Sequence, residues 1–365
     1  MGWLDGMRKI LVLFQKPINW LIVALPFALF AEIFHWGDFW IFILSCIGIV
    51  PLAGLIGEAT ESLAVYTGPK IGGLLNATLG NAAELIITLV AIQAGLIELV
   101  KASITGSILG NLLLVLGASI FLGGLRHGVQ SFDRRQASNH AILLIIVVIG
   151  LAIPSLFSHS IGPDDSIQVE ALSIGVAIVL MILYALGLVY TLKTAKSPIS
   201  YPPTETHTQN HGFTKVEALV LLTISTLGVV WLSEMLVGAV EHVVSNIGVS
   251  EFFLGIILIP LVGNVAEHLV AVQVALKNQM ELSVEIAVSS SLQIALFVAP
   301  VLVFVSLLMG NPLTLIFNQF ELIALIAAVV VAALVSSDGE SNWLEGVALI
   351  GVYLILGVGF FLLPS

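Results

Sequence analysis

Apolar residues in this 365-residue chain do not alternate with polar ones. They cluster in long runs set off by a few polar or turn-forming positions. The first run covers 18–34 and is broken by His35, Trp36, Gly37 and Asp38. Ten more follow at about 39–66, 71–96, 102–125, 138–157, 168–192, 215–246, 251–276, 282–309, 319–336 and 343–363. A helix needs about 20 largely apolar residues to cross the hydrocarbon core, whereas barrel strands run to about 10 residues and alternate. The pattern therefore predicts an all-α polytopic membrane protein of eleven transmembrane helices, spans 1 to 11. The first run has the look of a signal-peptide core, but no small-residue cleavage site follows it, so it reads as a retained helix. One connection is long and polar: 193–214, rich in Pro, Ser, Thr and His, reads as a cytoplasmic linker between two halves.

The cations test this count. With a cytoplasmic N-terminus, the tail and the connections after spans 2, 4, 6 and 8 hold Arg8, Lys9, Lys16, Lys70, Arg126, Arg134, Arg135, Lys193, Lys196, Lys215 and Lys277. Of the 12 Lys and Arg residues only Lys101 falls outside that set. This is the positive-inside bias, and one missed helix would scramble it. The C-terminus is then expected outside. The lack of a targeting presequence favours a plasma (inner) membrane of the bacterial kind. Composition agrees: 58% of residues are hydrophobic, only 10% are charged, and mean hydropathy is +1.11. A soluble domain carries about 25% charged residues. The formal charge of −11 does not point to a basic partner, because several acids fall inside apolar runs. Nucleic-acid binding has no support. The single cysteine, Cys46, excludes an intramolecular disulfide and a thiolate cluster.

One stretch is repeated. GGLLNATLGNAAELIIT at 72–88 aligns without gaps with GIILIPLVGNVAEHLVA at 255–271. Gly72, Gly80, Asn81, Ala83 and Glu84 match Gly255, Gly263, Asn264, Ala266 and Glu267, each at an offset of 183 positions. Glu58 and Glu241 keep that offset; Ser107 and Asn111 match Ser289 and Gln293 one position short of it. The first copy begins span 3 and the second begins span 8. Five helices per unit is an odd number, so the second copy enters the membrane upside down. The expected organisation is a tail and span 1 at 1–38, a first five-helix repeat at 39–192, the linker, and a second inverted repeat at 215–365. Inverted repeats with Gly- or Pro-interrupted helices in matching places point to a transporter site near the bilayer midplane. Here Gly72, Gly73 and Gly80 interrupt one helix, and Gly255, Pro260 and Gly263 the other.

Ionisable residues inside a membrane are functional candidates by default. Glu84 and Glu267, with Asn and Gln amides and Ser hydroxyls nearby, form an all-oxygen set. Oxygen ligands suit hard cations, and Ca²⁺ takes six to eight of them at roughly 2.3–2.6 Å in irregular geometry. Helix breaks at Gly80 and Gly263 free backbone carbonyls, tolerated at membrane depth where they line a cavity. No cysteine lies near and the histidines do not repeat, so zinc or copper is weakly supported. Two acids in one low-dielectric pocket repel when both are ionised, so the pair holds either protons or a dication. That competition is the minimum an exchanger requires.

GNAAE at 80–84, GNVAEH at 263–268, NLLLVLG at 111–117 and SSLQIALF at 290–297 resemble the signature of the Ca²⁺/H⁺ antiporter family, within the cation/Ca²⁺ exchanger superfamily. The resemblance covers essentially the whole chain. It implies a secondary transporter exchanging Ca²⁺ for H⁺ by alternating access, with no cofactor and Ca²⁺ as transported substrate. Glu84 and Glu267 would carry Ca²⁺ and protons, with carbonyls of Gly80 and Gly263 as ligands. Asn81, Asn264, Asn111 and Gln293 would line or brace the site. Spans 1 and 6, or 2 and 7, would slide past a core of spans 3, 4, 8 and 9. Many relatives carry an acidic segment between the halves; here 193–214 holds one acid, Glu205, so the resemblance does not extend to that segment.

Plainer readings stand beside these. Glu84 and Glu267 as partners of buried histidines would merely stabilise the bundle, and the helix glycines are also small residues suited to close packing. Glu58, Glu61, Glu234 and Glu241 read either as an access path or as solvated interface acids. His242 and His268 read as proton shuttles or as packing residues, Asn111 and Gln293 as ligand-side groups or helix ties, and Ser107 and Ser289 as pathway hydroxyls sharing faces with them. Asp164 and Asp165 read as a solvated outer loop. A Na⁺/Ca²⁺ exchanger on the same frame is the alternative function, and a cation channel a weaker one. No nucleophile–base pair or phosphate loop supports an enzyme. The bilayer is the expected environment, and a homo-oligomer is compatible with the sequence.

Overall fold

The computed structural model describes residues 16–163, 166–193 and 213–363, and these are helical apart from short connections and one two-stranded ribbon. Arg8, Lys9, Asp164, Asp165 and linker residues 194–212 lie outside the described residues. Among the described residues seven helices are long and apolar enough to cross a membrane: Asp38–Thr67, Ile97–His127, Arg134–Ser158, Ile167–Tyr190, Lys215–Asn246, Met280–Met309 and Trp343–Phe361. Glu251–Gly263 and Val265–Ala275, bent by 61° at their junction, make an eighth if taken as one span. Three shorter apolar helices complete the set, Pro17–Ile33, Ala82–Gln93 and Gln319–Val335.

Helix starts follow local sequence. Thr214, Asn318 and Asn342 each cap a helix and receive a reciprocal Glu three residues on (Glu217, Glu321, Glu345). Side-chain oxygens at these positions satisfy amide groups that have no intrahelical acceptor. Asp133 and Ser250 cap the helices that follow them in the same way.

One boundary differs from expectation. Helical hydrogen bonding runs unbroken through Asp38–Leu79, across the gap between the runs at 39–66 and 71–96, and stops at Gly80 and Asn81. A straight helix would separate residues eight apart by about 12 Å. Yet a Cβ on Gly72 would lie 2.7 Å from that of Ala64, so the helical path folds back sharply between them. The turn expected from sequence is thus a bend within continuous helix, and glycine at 72 is what lets the two turns touch.

The described residues form two compact units, each drawing on both halves of the chain. The first contains 16–90, 213–249 and Val262–Ala266. Its main packing is between Asp38–Leu79 and Lys215–Ile247. The contacts run antiparallel: Asp38 lies 3.6 Å from His242, Gly48 fits under Leu232, Gly228 fits under Leu52, and Tyr66 donates to the Phe213 carbonyl. Each glycine leaves room for the facing leucine, whose methyl would meet an added Cβ at 2.8 Å.

The second unit contains 91–193, Ser250–Leu261 and 267–363. Ile97–Leu109 crosses the Glu251–Gly263 helix at very short range. A Cβ on Gly106 would clash with the Ile256 carbonyl, and one on Gly255 would sit 2.8 Å from the Leu99 carbonyl. Close backbone approach of this kind is what small residues permit between membrane helices. Gln130 and Ser131 pair with Ser341 and Glu340 as an antiparallel ribbon. The buried Gln130 amide also donates to the Ala275 carbonyl at 3.1 Å and to Asn278 at 2.9 Å. Three π-helical turns interrupt the unit's helices, at Gly110–Val115, Leu254–Leu258 and Ile294–Val298. Such turns widen a helix by one residue and recur at functional sites.

Candidate functional site

The two copies of Gly-Asn-x-x-Glu build the same local form. In the first, helix ends at Leu79, Gly80 and Asn81 form a turn, and helix restarts at Ala82. In the second, helix ends at Gly263, Asn264 forms the turn, and helix restarts at Val265. Glu84 and Glu267 are each the third residue of the restarted helix. Free amide groups and the positive end of the dipole meet at a helix N-terminus, so an anionic side chain is favoured in the first turn.

Within the first unit, Glu84 and Asn81 are almost fully buried, at 1% and 2% exposure, and Asn264 is buried likewise. Gly263 packs on Glu84: a Cβ built there would stand 3.5 Å from the Glu84 Cβ and 3.8 Å from its amide nitrogen. The acid therefore lies beside the backbone of the second break. Thr88, one turn after Glu84, spends its hydroxyl on the Glu84 carbonyl at 2.8 Å and so closes the helix behind it.

Within the second unit, Glu267 is half-buried and enters a hydrogen-bonded chain. Ser290 Oγ donates to Glu267 Oε2 at 2.6 Å. Asn111 Nδ2 donates to Ser290 Oγ at 3.0 Å, and Asn111 Oδ1 lies 3.2 Å from His268 Nε2. With Nδ2 donating on one side, Oδ1 must accept on the other, which assigns the proton to His268 Nε2. Gln293, Ser107 and Ser289 are all buried in this unit, Gln293 and Ser289 completely. The Ser289 hydroxyl has no hydrogen-bond partner among the described residues.

The acids expected to flank the site separate from one another in environment. Glu58 is ion-paired with Lys16 at 2.6 Å and its side chain is 14% exposed. Its repeat partner Glu241 is exposed, as are Glu61 and Glu234. His242 faces Asp38 at the surface of the first unit, and His268 is buried in the second.

Sequence reasoning passed over two buried groups. Ser290, not the neighbouring Ser289, reaches the carboxylate; the triple serine at 289–291 advertised a hydroxyl but not which of three successive helical directions would face Glu267. Glu321 is 1% exposed, caps its own helix through Asn318, and accepts from Thr105 at 3.2 Å. Its capping box was readable in the sequence N-x-x-E at 318–321. Among the described residues no three His, Cys, Asp or Glu side chains group as a metal centre. Further oxygens for a cation have to come from amides, hydroxyls and backbone carbonyls.

Residues 37–193 and 217–362 match the sodium/calcium exchanger protein family. The chain belongs to that family. This family member is 42% identical over 361 residues to the Ca(2+)/H(+) antiporter of Aphanothece halophytica, an alignment spanning 94% of this chain and 96% of the relative. It is also 42% identical to the Ca(2+)/H(+) antiporter ChaA of Bacillus subtilis (strain 168), across 96% of this chain and 100% of that one. The structure of native YfkE shares its fold with a TM-score of 0.82 at 40% identity, covering 95% of this chain and 100% of its own. The family read from GNAAE, GNVAEH and their companion motifs is the one to which the full-length matches lead.

Proposed function

We infer that this exchanger-family chain is a secondary active transporter that exchanges Ca²⁺ for H⁺, with Glu84 and Glu267 as the carboxylates that take one or the other. The observation that carries the reading is their matched placement. Each is the third residue of a helix restarting after a Gly-Asn break, in a chain 42% identical to Ca(2+)/H(+) antiporters over nearly all its length. Ionised, the two acids compensate a dication; protonated, they are neutral. An empty dianion in a low-dielectric setting is heavily penalised, so only loaded states reorient, and transport in one direction is tied to transport in the other. Carbonyls of Gly80 and Gly263 complete the oxygen shell, with Asn81, Asn264, Asn111, Gln293, Ser107 and Ser289 along the path. Glu58 and Glu241 stand further out, and their unlike surroundings fit an access route that differs between the two sides.

The finer architecture belongs to the same reading. Seven long helices and one bent pair, with three shorter apolar helices beside them, are compatible with eleven crossings, one for each predicted span. The antiparallel contact of Asp38–Leu79 with Lys215–Ile247 supports an inverted pair of five-helix repeats, because these helices carry the matched Glu58 and Glu241. Loop contacts inside the second unit agree with an eleven-fold crossing. The connections at 130–131 and 340–341, which pair, fall on one side of the membrane by that count. Leu99 and Glu251, joined at 3.2 Å, fall on the other. With the cations on the first side, the N-terminus is cytoplasmic, the C-terminus is outside, and Ca²⁺ leaves the cytoplasm of a plasma (inner) membrane on an inward proton gradient.

Reconstitution into proteoliposomes tests this. Uptake of Ca²⁺ driven by a pH gradient without Na⁺ is the expected result. Strict dependence on Na⁺ overturns it in favour of Na⁺/Ca²⁺ exchange, and movement of Ca²⁺ only down its own gradient overturns it in favour of a channel.

A further inference from the structure

His140 and Glu285 are ionisable residues inside predicted spans that the site described above does not use. Both belong to the second unit and both are buried, at 2% and 5% exposure. With Asp133, Gln136 and Glu281 they line one cavity between Arg134–Ile161 and Met280–Gln293. About 10 Å³ of it is open to a water's centre, roughly the space one water needs. Along Met280–Gln293, the residues Glu281, Glu285, Ser289 and Gln293 recur every fourth position and so follow one face. Exposure falls along that face: Glu281 is exposed, Glu285 is buried, and Ser289 and Gln293 are completely enclosed. The rise from Glu281 to Ser289 is about 12 Å. Helical side chains lean toward the preceding turn, so Ser289 covers the turn that Glu285 begins, and its hydroxyl has no hydrogen-bond partner among the described residues. The next residue, Ser290, donates to Glu267 Oε2 at 2.6 Å. A line of polar groups thus leads from an exposed acid to the neighbourhood of Glu267. In the first half Leu99 and Ser103 hold the positions of Glu281 and Glu285, so carboxylates in this line belong to the second half alone. Acids and histidines in series inside a membrane mark proton relays. Among the described residues these groups do not form a metal centre.

We propose that Glu285, with His140 on the same cavity, relays protons between Glu267 and the cytoplasmic end of the second unit and takes no part in binding Ca²⁺. This rests on the reading that Glu267 exchanges Ca²⁺ for H⁺, and on the topology that puts the 130–131 connection at the cytoplasmic end. A proton released by Glu267 passes along the buried hydroxyls to the Glu285 carboxylate. Glu285 gives it to His140 or to water in the cavity and is a carboxylate again for the next. The other titratable groups facing the cavity are the exposed Glu281 and Asp133, which caps Arg134–Ile161 through two backbone amides. Both are acids, so a proton leaving Glu285 moves toward negative charge and solvent.

Two transport modes in proteoliposomes separate this role from a structural one. Ca²⁺ uptake driven by a pH gradient needs proton transfer, whereas exchange of isotopically labelled Ca²⁺ for Ca²⁺ at equal pH needs only the Ca²⁺-loaded states. Glu285→Gln keeps the shape but carries no proton. It is expected to lower the first mode about tenfold and to leave the second, and the half-saturating Ca²⁺ concentration, within about twofold of wild type. Glu285→Asp, which keeps a carboxyl group, is expected to return pH-driven uptake to within about threefold. His140→Gln is expected to show the same split with a fall of about threefold, and it carries the test if Glu285→Gln does not fold. Equal loss of both modes overturns the proposal, because it marks a packing role. So does an unchanged pH-driven rate in Glu285→Gln, or an aspartate variant no better than the glutamine one. Glu267→Gln run alongside separates the two ideas. If it transports normally, the cation-site reading fails; if it is inactive in both modes while Glu285→Gln behaves as wild type, only the relay fails.

Discussion

Glu84 and Glu267 occupy the same place in the same broken-helix motif, yet they differ in exposure. Glu84 is 1% exposed and packs on the second break, where a Cβ added to Gly263 would stand 3.5 Å from its own Cβ. Glu267 is half-buried and wired through Ser290 and Asn111 to His268. A repeat therefore certifies that two positions share a conformation. It does not certify that they share the same exposure.

Four substitutions probe how deep the difference goes. Glutamine in place of either acid has the largest expected effect. Glu84→Gln and Glu267→Gln should each lower exchange by at least about 100-fold, close to 2.7 kcal/mol of lost stabilisation, because the amide neither titrates nor supplies charge. Flux measured in proteoliposomes decides it, and a wild-type rate in one of them would reduce the site to a single carboxylate. Next comes Asn111→Ala, which opens the circuit around Glu267 and leaves Glu84 alone. A loss of about five- to tenfold in uptake at subsaturating Ca²⁺ is expected, the size of one or two hydrogen bonds. A loss equal to that of Glu267→Gln would make Asn111 a direct ligand. Smallest is Gly263→Ala. The added Cβ meets Glu84 at ordinary contact distance and the carbonyl is retained, so uptake should stay within about twofold. Abolition would mean that the backbone at 263 must flex.

Much of this was legible in the chain. The apolar runs, the small share of charged residues and the gap-free match of 72–88 with 255–271 were enough to read a helical membrane protein with a repeated stretch. The breaks at Gly80 and at Gly263 with Asn264 were readable too, since glycine and asparagine weaken a helix wherever they fall together. The bend near Gly72 was harder. Sequence marked the end of one apolar run and the start of another, but only the backbone path showed that hydrogen bonding continues through the turn. Gly106 and Gly255 read as small residues with two interpretations, and the crossing of their helices selected close packing. For the site itself, the acids and Asn111 were named from the motif, whereas Ser290 was missed in favour of Ser289. Adjacent residues on a helix point about 100° apart, and π-helical turns shift that phase further, so register toward a partner helix is not written locally.

By itself the sequence determined the solvent this protein lives in, the number of its apolar runs, the sign of each connection, and the two acids set inside apolar runs. Those properties depend on transfer free energies and on covalent order, which belong to each segment independently of its neighbours. Tertiary structure alone decided which hydroxyl meets Glu267, that Gly263 is Glu84's wall, and that Glu58 and Glu241 differ in company. Such contacts join residues more than 20 positions apart and depend on how one helix is rotated against another, a quantity fixed only when all of them pack.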